Sequence, residues 1–105
     1  MRRARNHALV AGVLFAAVVA AHWQYLGLPY FWDEAGQFIP AALDIFRDRA
    51  WVPQSAIPNV HPPGVMAYLA LVWRVFGFTP VVTRLAMLAV AAAGLYVTFL
   101  LSIRW

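Results

Sequence analysis

The chain has no cysteine, no lysine and only four acidic residues among 105. Without cysteine there are no disulfides, thiolate nucleophiles, zinc–thiolate sites or palmitoylation, and the redox compartment cannot be read from thiol usage. Charge of either sign is scarce, at 11% of residues against about 25% in soluble domains. All eight basic residues are arginine, three of them within the first five positions, and the net charge is +4. Scattered arginines with no stacking platform exclude a nucleic-acid interface. There is also no glycine-rich phosphate loop and no Ser/His/Asp ordering.

What the chain does have is apolar surface: 64% hydrophobic residues and a mean hydropathy of +0.70. A water-soluble domain of this length buries well under three quarters of its unfolded surface, so much of that apolar material would stay wet. A soluble monomer is excluded, and so is a disordered chain. The expected class is an all-α integral membrane protein with three transmembrane helices and an amphipathic interfacial helix.

The first expected span, 8–28, carries no formal charge and makes about 31 Å of helix, one hydrocarbon thickness. Arg2, Arg3 and Arg5 precede it, which puts the N-terminus in the cytoplasm. Trp23, Tyr25, Tyr30 and Trp32 gather at its far end as an aromatic belt. The rival reading of this stretch is a cleaved signal peptide ending near Val19-Ala20-Ala21. The second expected span, 62–78, opens at Pro62-Pro63, and Gly77-Phe78-Thr79-Pro80 ends it. The third covers 81–103. Arg74 and Arg84 flank the turn between these two, a pattern that predicts a cytoplasmic turn, an external first loop (29–61) and an external C-terminus. Ala8, Gly12, Ala16 and Ala20 form a small-residue stripe of the kind that lets helices approach closely in lipid. Abundant arginine and alanine without lysine point to a bacterial source, hence the plasma membrane. Three spans make a poor self-contained domain, so the chain reads as the N-terminal piece of a larger polytopic protein.

The external loop holds all four acidic residues. From Gln37 to Arg49, the residues Phe38, Ala41, Ala42, Ile45 and Phe46 fall at helical spacing, with Gln37, Asp44, Arg47 and Asp48 opposite. This predicts an amphipathic helix lying on the external surface, with Pro40 tolerated only near its start or at a kink. Arg47 and Arg49 are expected to pair with Asp44 and Asp48 or with lipid headgroups. Asp33-Glu34 follows the aromatic belt, at the boundary between lipid and water. A carboxylate there can act as general base toward a hydroxyl; the plain alternative is a solvated loop. His61, at the start of the second span, can orient a phosphate or an acceptor, or simply cap the helix. No second histidine follows at metal-ligand spacing.

The whole arrangement is more specific than its parts: Phe31-Trp32-Asp33-Glu34 after a first span, Trp51-Val52-Pro53, His61-Pro62-Pro63, Trp73-Arg74-Val75-Phe76-Gly77, then Thr83-Arg84-Leu85. It resembles the N-terminal region of polytopic glycosyltransferases of the protein O-mannosyltransferase and aminoarabinose transferase type. The resemblance implies sugar transfer from a polyprenyl-phosphate donor to a lipid, glycan or protein acceptor on the external face, usually with inversion. It implies Asp33 as catalytic base and Glu34 as the second acidic position, binding acceptor or helping to hold the loop; His61, by its position, is the other substrate-binding candidate. It implies no certain cofactor, with divalent metal dependence left open. The loop from Trp51 to His61 is short for that family. The other reading is a non-catalytic helical membrane subunit that packs against partner spans.

Overall fold

Proline and glycine mark several of the helix ends: Pro40 at the head of the helix Ile39–Asp48, Pro63 before the helix Gly64–Phe76, Gly77 after it and Pro80 at the start of the helix Pro80–Ser102. The computed structural model describes residues 1–57 and 62–104, and among these the chain is all-helical. Helix α1 covers Arg2–His22 and runs into a 3-10 turn at Trp23–Tyr25. A π-helical turn at Glu34–Phe38 leads into α2, Ile39–Asp48. Helix α3 is Gly64–Phe76 and α4 is Pro80–Ser102. Two of these, α1 with its 3-10 extension and α4, are long and apolar enough to cross a membrane.

Three cations in the first turn of α1 oppose the helix dipole, so the arginines there do not serve helix stability. At the other end, His22 Nδ1 donates to the Val18 carbonyl at 2.7 Å, occupying one of the terminal carbonyls. Helix α4 begins where the sequence marks it. Thr79 Oγ1 accepts from the Val82 N–H at 3.1 Å, and Pro80, which has no N–H to leave unpaired, takes the first helical position. Within α4, Thr98 donates to the Gly94 carbonyl, so its hydroxyl is satisfied without water.

The chain divides into two units. The first comprises residues 1–26 and the chain from Arg84 onward. It buries Leu26, Ala86 and Ala92, and His7 meets Tyr96 edge-on. Its large apolar side chains, among them Leu9, Val13, Leu95 and Leu101, are exposed, which suits lipid as solvent. The small-residue stripe on α1 is exposed as well, and a Cβ at Gly12 would meet nothing within 4 Å.

The second unit, Gly27–Thr83, is built on α2 against α3. Ile39, Ala41, Ala42 and Ile45 bury against the protein, as do Met66, Leu69, Ala70 and Trp73 at helical spacing on α3. The alanines allow close approach, and Trp73, only 1% exposed, fills the centre. Phe46 and Phe78 both meet the Trp73 ring edge-on, with centroids 6.0 and 4.7 Å away.

Two expectations change here. The segment expected to span at 62–78 forms a helix of 13 residues, about 20 Å against a hydrocarbon core of about 30 Å. The apolar face of α2, expected to rest on lipid, is instead covered by α3. Other boundaries shift slightly: α1 starts six residues before the expected span and ends before Leu28.

Candidate functional site

The segment 31–38 departs from regular backbone twice in close succession. Trp32 has φ +42, in the left-handed region, which a residue with a Cβ occupies at about 1–2 kcal/mol. Asp33 follows, then the π-helical turn, in which the Ile39 N–H reaches back five residues to the Glu34 carbonyl. Pro40 accounts for the wide turn. A proline ring clashes with the carbonyl four residues earlier in a regular helix, and the extra residue in the turn relieves that crowding as α2 begins. The expected tolerance of Pro40 near the helix start is met, with α2 proper starting at Ile39. Single π-turns and left-handed residues concentrate at functional sites.

Glu34 holds this turn together. Its Oε2 accepts from the Phe31 N–H at 3.1 Å, and its own N–H donates to the Phe31 carbonyl at 2.9 Å. The Gly36 N–H donates to the Trp32 carbonyl at 2.9 Å. Asp33 is exposed, and no hydrogen bond or ion pair to its carboxylate occurs among the described residues. Its neighbours Phe31 and Trp32 are exposed and pack edge-on against each other. Asp33 and Glu34 thus divide the work: one carboxylate is tied to backbone, the other is presented to solvent. His61 lies outside the described residues, and no group of three His, Asp or Glu side chains able to hold a metal occurs among those that are described.

A second polar centre lies around Asp44. Expected on the solvent face of α2, Asp44 is 5% exposed. Its carboxylate accepts from the Gln54 N–H at 2.7 Å, the Ser55 N–H at 2.8 Å and the Ser55 hydroxyl at 2.5 Å. These bonds, led by the Ser55 hydroxyl, hold the Asp44 carboxyl below the usual carboxylate range despite burial. The positive charge of Arg47 adds the smallest contribution, so the expected Arg47–Asp44 partnership gives way to a latch on residues 54–55. Arg49 ends α2 in the left-handed conformation. Arg74, expected as an interfacial anchor, donates from Nη2 to the Phe46 carbonyl at 3.3 Å, near the C-terminal end of α2.

The third centre was not marked in the sequence as a site. Thr83 is 4% exposed and donates to the Thr79 carbonyl at 2.9 Å. That commits its proton, so its lone pairs accept from Trp73 Nε1 at 2.9 Å and from the Tyr30 hydroxyl at 2.6 Å. Tyr30 also stacks on Phe78. Tyr30 follows the first apolar segment and Thr83 sits in the first turn of α4. The three-span arrangement puts these positions on opposite sides of a bilayer. Tyrosine and threonine in an apolar chain were the available clue, but nothing in their spacing pairs them.

No protein family, curated protein or solved structure matches the chain.

Proposed function

We propose that this chain belongs to a membrane-embedded transferase acting on a lipid-phosphate-linked sugar, with Asp33 as the base. The acceptor hydroxyl gives its proton to the Asp33 carboxylate, and the acceptor oxygen attacks the anomeric carbon. The bond from that carbon to the carrier oxygen breaks, and the polyprenyl phosphate leaves with the electron pair. Glu34 acts by fixing the turn, and His61 by orienting substrate. The observation that carries the reading is the exposed Asp33 carboxylate on a strained, carboxylate-clamped turn next to exposed aromatics. A polyprenyl donor dissolves its tail in the bilayer and keeps its phosphate at headgroup level, so a base must be held at that depth.

The Tyr30–Thr83 bond supports a topology of two crossings, α1 and α4, with residues 27–79 on the external side. Arg2, Arg3 and Arg5 then set the orientation, while Arg74 serves α2 and need not mark a cytoplasmic turn.

The test is Asp33→Asn in the full-length protein in membranes, with transfer of radiolabelled sugar from a polyprenyl-phosphate donor as the readout. Loss of transfer with normal membrane insertion supports the base; transfer at the wild-type rate removes it. A non-catalytic subunit is the second reading, favoured by the exposed small-residue stripe with open space at Gly12. Gly12→Leu would then abolish co-purification of a partner while leaving insertion intact.

A further inference from the structure

Close in sequence to the clamp formed by Tyr30, Thr83 and Trp73 stand four exposed apolar side chains. Phe31 and Trp32, directly after Tyr30, are 70% and 80% exposed. Val75 and Phe76, two and three residues after Trp73, are 68% and 72% exposed. Side chains this large and apolar are seldom left so exposed to water in such number without a contact to make. Along the chain, Tyr30 is five residues beyond the first long apolar helix, and Thr83 is in the opening turn of the second.

We infer that Phe31, Trp32, Val75 and Phe76 form a lipid-contact patch in the headgroup region, so that α3 lies at the membrane interface instead of crossing it. Three features of the chain agree with lipid as the occupant. The patch is aromatic and aliphatic, as at a bilayer interface. The neighbouring Arg74 offers a cation to phosphate, with its remaining guanidinium donors beyond the one given to Phe46. And α3, at 13 residues, suits a surface helix better than a span. The inference rests on the two-crossing topology and not on catalysis by Asp33.

Because the chain contains no cysteine, Phe31→Cys, Leu71→Cys and Phe76→Cys each introduce one labelling site into the full chain. Each variant is spin-labelled and reconstituted in phosphatidylcholine–phosphatidylglycerol vesicles, and collisions with oxygen and with a membrane-impermeant nickel chelate are compared. The expected result is oxygen-dominated collision at 31 and 76, at similar shallow depths of about 5–10 Å, with both reporting the same side of the bilayer. Leu71 should be no deeper than Phe76. A deepest position at Leu71, with 31 and 76 on opposite sides, restores a spanning α3 and overturns the patch. Nickel-dominated collision at both sites means water, and suppression of both reagents means a protein partner; either also overturns it. A measurement that needs no label is fluorescence quenching by lipids brominated near the headgroup or deep in the acyl chain. Shallow bromines should quench the wild-type chain more than Trp32→Phe, and equal quenching counts against the patch. Neither readout depends on sugar transfer, so failure of the patch and failure of Asp33 as base are separately visible.

Discussion

Tyr30 and Thr83, 53 positions apart, share a hydrogen bond of 2.6 Å. The threonine hydroxyl has one proton and has already given it to the Thr79 carbonyl, so it serves as acceptor for both the tyrosine and Trp73. One buried oxygen therefore ties the segment after the first apolar helix, the last turn of α3 and the first turn of α4.

Replacing Thr83 with valine preserves shape and deletes that oxygen. Trp73 Nε1–H, on a side chain with 1% exposure, would lose its partner, and Tyr30, half-buried, would recover water in part. The expected loss is about 2–3 kcal/mol, the upper part of the range for stranding a buried donor. Tyr30→Phe, which strands no donor, should lose about 1 kcal/mol. Denaturant titration in detergent, followed by Trp73 fluorescence, gives the order. Equal effects of the two variants would mean that the clamp is not organised around Thr83.

Asp44 gives residues 54–55 an acid-sensitive fastening. Its carboxyl is held below the ordinary value of 3.8 by bonds to Ser55 and Gln54. A carboxyl with a depressed folded value contributes stability that is fully present above its unfolded value, and that stability disappears as pH falls through the folded value. Trp51 fluorescence and protease susceptibility around 50–57 should thus be constant from neutral pH down to about 4–5 and change below that. Asp44→Ala should remove the acid step and loosen the loop at neutral pH by about 1–2 kcal/mol. An unaltered acid profile in that variant would show that another group controls the transition.

The two adjacent carboxylates should separate cleanly by substitution. Glu34→Ala deletes the acceptor of the Phe31 N–H and should destabilise the turn by about 0.5–1 kcal/mol, whereas Glu34→Gln keeps an acceptor and loses less. Asp33→Asn should leave stability within about 0.5 kcal/mol, as at exposed sites without contacts, yet abolish transfer. A large thermal shift in Asp33→Asn, measured in detergent, would assign that residue to structure.

Trp32 carries two effects of opposite sign. Its left-handed backbone favours glycine, so Trp32→Gly should relieve about 1 kcal/mol in the folded segment. The same change removes an exposed indole from the lipid patch, and bromolipid quenching should fall. Stability and membrane contact moving together, in either direction, would break the link between strain and interface position.

Much of this was legible in residue order. Helix starts and stops followed from Thr79-Pro80, from Gly77, and from Pro40 near the head of α2. The amphipathic stretch from 37 to 49 is legible as helical with an apolar face, realised as the end of the π-turn and α2. What covers that face is not legible, because α3 and a bilayer present the same chemistry to Ile39 and Ala42. Hydrophobic periodicity places Asp44 in water because it treats every carboxylate as solvated. Its buried position depends on two backbone N–H groups ten and eleven residues later, which no local pattern announces.

The amino-acid order alone determined that the chain is helical, that it carries long apolar segments suited to lipid, and that its acidic residues fall between the first of them and the next. Those are consequences of local hydrogen bonding and of solvent preference summed over each segment. Which residues meet across 53 positions, how far α3 extends, and which of two neighbouring carboxylates is tied to backbone were decided only by tertiary structure. Such choices rest on single buried hydrogen bonds with strict geometry, formed by side chains whose separation along the chain carries no periodic signal.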